Sequence, residues 1–198
     1  MSLESIDAAL RLVNRELWIV TATHGASRGG LVATWVSSVS IDREHPVMLI
    51  GLAPQHFTRE LVEQSGCLGL HLIATDQLAS AFDFAIGSGR DRDKLQGLET
   101  FTAVTGAPLL KECVAWFDCR VFARLVTGDR VFFWADIVAG ETIRAIAPAR
   151  EHDLFAGATA EQKQKLIADR AASVAVQRPA QAAWCRNLPA HFKLSASD

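Results

Sequence analysis

The stretch ECVAWFDCRVFARLVTGDRVFFWADIVAG, residues 112–140, carries the plainest structural statement in this chain. Phe117, Cys119, Val121, Ala123 and Leu125 alternate with Trp116, Asp118, Arg120, Phe122 and Arg124, and a period of two belongs to a β-strand. Gly128-Asp129 between the two apolar runs is a tight-turn pair. The reading is two long antiparallel strands, 112–127 and 129–140. One face of the first is a core face. The other mixes aromatics with charges, which suits a cofactor or a subunit contact better than bare solvent.

Working outward, LWIVTATHG, GLVATWVSSVSI and VMLIGLAP place three strands in residues 17–54, the first two joined by a glycine-rich hairpin at GASRGG. The third is nearly all apolar, as a strand buried on both faces would be. FTRELVEQ (57–64) is a short helix that Thr58 helps to cap and Ser65-Gly66 ends. CLGLHLIA is a further strand, DQLASAFDFAI has helical spacing at Leu78, Phe82 and Ile86, and GSGRDRDKLQGL is a loop near the surface. At the N-terminus Ile6, Ala9, Leu10, Val13 and Leu17 predict an amphipathic helix. Thr159-Ala-Glu-Gln162 is a capping box opening a helix that ends near Pro179, with Leu166, Ile167, Ala171 and Val174 along one side. The tail through Trp184 and Phe192 is expected to pack on the barrel as a lid or a dimer arm.

Composition bounds the function. A chain of 198 residues with 49% hydrophobic residues fills one core and is too short for two ordinary enzyme domains. We therefore expect a single domain over 1–198, with its core at 15–140 and a helical extension at 151–198. The net charge of −2 argues against nucleic acid as a partner. No apolar run is long enough to cross a bilayer, and no export signal opens the chain. The four cysteines (Cys67, Cys113, Cys119 and Cys185) lack C-x-x-C spacing. Buried free thiols in the cytoplasm are the expectation.

Several sites are absent as motifs. There is no G-x-x-x-x-G-K-[ST], and the one G-x-G (Gly87-Ser-Gly89) does not lead from a strand into a helix. Cys67 and His71 are about 13 Å apart if both lie in one strand, so no metal site is expected. What remains is the run Ala33-Thr34-Trp35-Val36-Ser37-Ser38-Val39-Ser40, small and hydroxyl residues around one large aromatic. It reads either as a strand with a polar outer face or as the wall of a ring-binding site. A flavin needs flat apolar walls and backbone groups for its ring, and hydroxyls, amides and cations for its ribityl phosphate.

GLVATWVSSVSI followed by a strand and HFTRELVEQSGCLGLHLI resembles the flavin reductase-like FMN-binding family. Asp76-Gln77-Leu78, Phe82, Arg92-Asp93-Lys94-Leu95-x-Gly97, Gly106-x-Pro108-Leu109 and the two long strands follow in the family's order. The likeness spans roughly residues 15–140 and is similar to the reductase-like domain of cyanobacterial diflavin flavoproteins. It implies a mainly β fold with α additions: an FMN-binding split β-barrel, a Greek-key antiparallel barrel with flanking helices and a helical C-terminal extension. Carried over by position, it implies that the backbone of Ala33, Thr34, Trp35 and Val36 lies along the flavin and that Ser37 or Ser38 reaches the ribityl–phosphate region. The turn Ala53-Pro54-Gln55-His56-Phe57-Thr58 would receive the phosphate at a helix N-terminus. His56 is either a phosphate contact or a solvent-facing turn residue. Asp93 and Lys94 resemble the family's Asp-Lys-Phe motif, with Leu95 in place of the aromatic, and Lys94 reads equally as a surface lysine.

The resemblance further implies an FMN-dependent oxidoreductase, with NAD(P)H as co-substrate, a free flavin or a partner protein as acceptor, and a homodimer. No catalytic acid or base is assigned, because hydride transfer to flavin does not require one. FAD stays open, since a solvent-facing phosphate would leave room for the adenylyl half. The chain departs from the family at Glu141–Arg150, where the nicotinamide-side pattern is missing, and it has no tyrosine. That leaves two alternatives in view: an FMN-binding electron carrier that does not use nicotinamide, and a barrel that has lost its flavin.

Overall fold

The computed structural model describes residues 2–189 and Phe192. Period-two runs of branched and aromatic residues form the strands β1 (Trp18–His24), β2 (Ser27–Ala33), β3 (Val36–Ser38), β4 (Val47–Leu52), β5 (Cys67–Leu72), β8 (Ala115–Val126) and β9 (Val131–Thr142). They join in one antiparallel sheet of order β2-β1-β5-β8-β9-β4-β3. A separate two-stranded ribbon pairs β6 (Thr100–Phe101) with β7 (Leu109–Leu110).

The two edge strands of the large sheet are consecutive in sequence. Ala33 pairs with Trp18 on β1, and Val36 pairs with Ile50 on β4, at opposite ends of the strand order. Only three peptide links separate Ala33 from Val36, a reach of about 10 Å. A seven-stranded sheet spans far more than that if flat. The sheet therefore curls on itself into a half-barrel, and Thr34-Trp35 is its seam.

Inside the curl lie Val20, Ile50, Leu52, Leu68, Leu70 and Phe133. A second core forms on the outer face of β1, where Ile19, Ile73, Phe84, Leu95 and Leu110 pack under α3 (Leu78–Ala85) and α4 (Glu151–Gly157). The segment after β9 is stitched back to this layer: Leu17 donates to the Ala149 carbonyl (2.8 Å) and Ala149 to that of Ile73 (2.7 Å). His71 on β5 bridges both layers. Its Nδ1–H donates to the Ile19 carbonyl (3.0 Å), and its Nε2 accepts from the Leu110 N–H (3.0 Å).

Several expectations need correction. The segment 17–54 holds four strands, because the chain must leave the ladder at Thr34 to cross the seam. The first helix, α1 (Leu3–Leu10), is shorter than its apolar spacing suggested. Ile6, Leu10 and Val13 are exposed while Leu17 is buried beyond its end, since Leu17 belongs to the strand entry. Thr58 does not cap α2 (Phe57–Ser65): His56 holds the N-cap position, and Thr58 is buried beside Gly29. Gly66 does end α2, at φ +68°.

The mixed face of β8 is two surfaces. Trp116 and Asp118 are buried, Trp116 edge-on to Phe101 at 5.3 Å and Asp118 accepting from Val104 N–H (2.7 Å) and Thr105 N–H (2.8 Å). Register shifts at Asp118/Cys119 and Val121/Ala123 then break the alternation, leaving Phe122 exposed. In the loop expected at the surface, Lys94 and Leu95 are buried. Of the free cysteines, Cys113 and Cys119 are buried, Cys67 is half-buried and Cys185 exposed. The last helix, α5 (Ala160–Arg186), runs through Pro179, and its stripe at Ile167 and Val174 is exposed. Among the described residues, no helix is long and apolar enough to cross a membrane.

Burial holds the His71 imidazole down at about 4, so it is neutral at pH 7. Replacing it (His71→Leu) strands one buried N–H and one carbonyl and should cost about 2–4 kcal/mol at pH 7. The unfolded chain takes the proton near pH 6.5 and the folded one only near 4. The wild type thus loses stability as pH falls through that window, and the variant lacks this loss. Urea melts at pH 7 and pH 5 should show the gap between the two proteins narrowing at the lower pH.

Candidate functional site

The seam opens on a cavity. Thr34 and Trp35 lie outside the ladders of both neighbouring strands, apart from the Trp35 carbonyl, which accepts from Gly51 N–H (2.7 Å). Gly51 is required there: a Cβ would lie 2.9 Å from the Phe132 ring and 3.3 Å from Trp35 Cβ. The Trp35 ring is therefore free to stack on Phe132, centroid to centroid 6.1 Å at 19°. Arg130 lies over the same indole, its guanidinium carbon 4.4 Å from the ring centroid. The register that pairs Leu52 with Val131 brings Arg130 beside Ala53. The cavity, about 120 Å³, is lined by Leu31 to Trp35 from the β2 end, Gly51 to Ala53 from the β4 end, His56 and Arg130.

Its electrostatics favour an anion. His56 holds the N-cap position of α2, where backbone N–H groups lack helical partners. Its Nδ1 is buried without a hydrogen-bond partner. Burial, reinforced by Arg130, Lys94, Arg59 and Arg90, pushes its imidazole down to about 4. Four cations facing one neutral histidine make a positive field that no carboxylate in the lining offsets. Each cation is held by a neighbour: Arg59 donates to the Pro54 carbonyl (2.9 Å) and pairs with Glu63 (2.6 Å). Arg90 donates to the Gln55 carbonyl (3.1 Å), pairs with Glu60 and lies over the Phe57 ring. Lys94 donates to the Phe84 carbonyl (2.7 Å), and burial brings it down to about 8. Burial also lowers Arg130.

Of the residues singled out from sequence, Ala33, Thr34, Trp35, Ala53 and His56 meet in this cavity wall. Pro54, Gln55 and Phe57 are half-buried in the adjoining turn and first helical turn, and Thr58 is fully buried. Val36 points into the barrel core. Ser37 and Ser38 are exposed on edge strand β3, and the Ser38 hydroxyl donates to the Ser40 carbonyl (3.3 Å). Asp93 pairs with Arg28 (2.7 Å), and Lys94 is no surface lysine. Arg130 and Arg90 escaped the sequence reading. Only strand register brings Arg130 to Ala53, and a charged residue beside a Gly-Asp turn looks like any solvated hairpin end.

A buried unpaired imidazole nitrogen, a helix N-terminus and a cation cluster suit a phosphate, and the apolar seam walls beside them suit a planar ring. The comparisons point the same way. Residues 10–164 match the family described as flavin reductase like domain. Diflavin flavoprotein A 1 of Synechocystis is 26% identical over 148 residues, 73% of this chain and 25% of that protein. The chain thus spans about a quarter of the length of the diflavin flavoproteins it matches. Among solved structures, the FMN-binding protein of Thermus thermophilus with bound 1-cyclohex-2-enone aligns with a TM-score of 0.61 and 21% identity, covering 66% of this chain and 71% of that one. The NADH:FAD oxidoreductase of Streptomyces globisporus aligns at 0.62 and 18% identity, covering 72% and 86%. At such identities these two structures speak for the shared fold.

An anion in the cavity stabilises the imidazolium of His56, and removal of Arg130 takes away one of the charges that suppress it. Titration of the His56 ring protons by NMR should therefore start near pH 4. It should move upward on addition of inorganic phosphate, and upward again in Arg130→Ala. A His56 signal indifferent to both would show that the cluster does not act on it.

Proposed function

The chain belongs to the flavin reductase-like domain family, and from that membership we propose that it is an FMN-dependent oxidoreductase of the NAD(P)H:flavin reductase type. Ala33, Thr34 and Trp35 would hold the isoalloxazine, which would supply the redox chemistry: hydride acceptance at N5 from a nicotinamide and electron delivery to a free flavin or a partner protein. The observation that carries the reading is the buried, unpartnered Nδ1 of His56, set at a helix N-terminus beside the Trp35 seam.

In this reading each residue has a binding or positioning task. Ala33, Thr34 and Trp35 lie along the ring, where Leu31 and Leu52 keep water out. The turn from Ala53 to Thr58 receives the phosphate, with Ser37 or Ser38 toward the ribityl region and Asp93 and Lys94 beside the phosphate. Arg130 and Arg90 add the positive field. FAD belongs to the same reading where its phosphate meets solvent. A homodimer belongs to the same reading, and Phe122 and Val126 are large apolar residues left exposed on β8 for such a contact.

A second reading, an FMN-binding electron carrier without nicotinamide chemistry, is favoured by one observation. The segment after β9 turns away to Val114, Ile73 and Leu17, so the nicotinamide-side pattern missing from residues 141–150 is not replaced at the cavity.

The visible spectrum of the purified protein, before and after anaerobic NADPH and then NADH, decides between them. Bleaching of a bound flavin band is the expected outcome. A band that persists supports the carrier, and no band after FMN is supplied overturns both. The double variant His56→Ala/Arg130→Ala should weaken FMN roughly tenfold to hundredfold in a fluorescence titration, the scale of one charge-assisted hydrogen bond. Sedimentation at micromolar concentration should give a dimer mass, and a clean monomer removes that part of the reading.

A further inference from the structure

Helix α5 lies against the rim of the cavity through one narrow line of contacts. Ser173, Gln177 and Ala180 fall at spacings of four and three, on one face of the helix. Gln177 is the one buried residue of α5, at 8% exposure. Its Oε1 accepts from Arg130 Nη1 (2.8 Å), and its Nε2 donates to Gln55 Oε1 (3.3 Å). Gln55 in turn donates to the Ser173 hydroxyl (3.3 Å). Below them the turn at Gly128 abuts the helix, and a Cβ there would lie 2.6 Å from the Ala180 carbonyl oxygen. Both partners of Gln177 belong to the site: Arg130 covers the Trp35 indole, and Gln55 stands in the turn before α2.

The size of the cavity gives this contact its meaning. Ligand sites for molecules of flavin size run to roughly 300–1,000 Å³, and about 120 Å³ is present. The walls below are barrel strands locked by their ladders. The rim above is held by a few polar contacts to α5, a helix that packs on the second core through Leu166 while its Ile167, Val174 and Val176 face solvent. The rim is the part that yields.

Resting on the flavin reading above, the geometry points to Gln177 as the latch of the flavin site: its amide pins Arg130 over Trp35 and ties Gln55 to α5, and flavin enters when this latch breaks. Gln177 is a positioning residue that acts through Arg130. Breaking the latch frees the Arg130 guanidinium for the ligand phosphate and uncovers the indole for the ring. Flavin binding and docking of α5 thus compete for the same side chain, so each weakens the other.

The test is stopped-flow uptake of FMN by the full chain, wild type against Gln177→Ala and Gln177→Glu, with riboflavin as a second probe that carries no phosphate. The alanine variant should take up both flavins roughly tenfold faster, as expected for loss of one charge-assisted hydrogen bond. The glutamate variant, with a carboxylate facing Arg130, should take up both more slowly. Hydrogen exchange on the flavin-free proteins supplies a readout independent of uptake: amides of residues 173–182 should exchange faster in the alanine variant and slower in the glutamate variant. A common uptake rate for all three, within about twofold, overturns the latch alone, as does unchanged exchange. No uptake of FMN by any of them overturns the flavin reading, and the latch with it.

Discussion

Two residues, Thr34 and Trp35, tie together the opposite edges of a seven-stranded sheet, and the rest of the structure depends on that short tether. Backbone hydrogen bonding asks each strand to lie beside its partner, while the chain allows only three peptide links between the β2 and β3 edges. Curling is the one geometry that satisfies both. It encloses the core of Val20, Ile50, Leu70 and Phe133, and it leaves a place where backbone groups stand outside any ladder. A sheet exposes such groups only at an edge or a seam, and here the seam has been walled with aromatic and apolar side chains and lined with a cavity.

The charge arrangement follows from the same closure. Bringing β2 against the turn after β4 gathers His56, Arg59 and Arg90 from one side and Arg130 from the hairpin end of β9. Like charges so close would repel in an apolar setting, and each is steadied by a carbonyl, a carboxylate or an aromatic face. His56 carries no such partner on its buried nitrogen. Stability alone would disfavour an orphaned polar atom beside four cations, which is why, of the residues lining the cavity, His56 is the one on which the proposed phosphate site chiefly rests.

Much was legible in the chain before folding. The period-two run at Phe117–Leu125, the Gly128-Asp129 turn and the apolar β4 each announce a strand through local sterics and patterning, and Gly66 ends α2 through its freedom at positive φ. The ring-wall run at Ala33–Trp35 and the turn at Ala53–His56 were legible as family pattern, and they converge on one cavity. Patterning misled where burial is set by a distant segment. Trp116 and Asp118 read as part of a cofactor or subunit contact and are buried under the Thr100–Leu110 ribbon, while on the helix side lined by Leu166, Ile167, Ala171 and Val174, Leu166 packs on the core and Ile167 and Val174 are exposed. Alternation reports which residues share a face, and it cannot report what covers that face.

By itself the sequence determined the longer strands, the turns between them and the class of the fold, because these arise from neighbouring residues through sterics, capping and hydrophobic period. Tertiary structure alone decided that Arg130 stands beside Ala53 and over Trp35, that Lys94 is buried, and that Gln177 reaches across 47 positions of chain to Arg130. Those contacts are set by strand register and by the angle at which a helix lies on a barrel rim. Both are collective properties of the closed sheet, and no local stretch of residues encodes them.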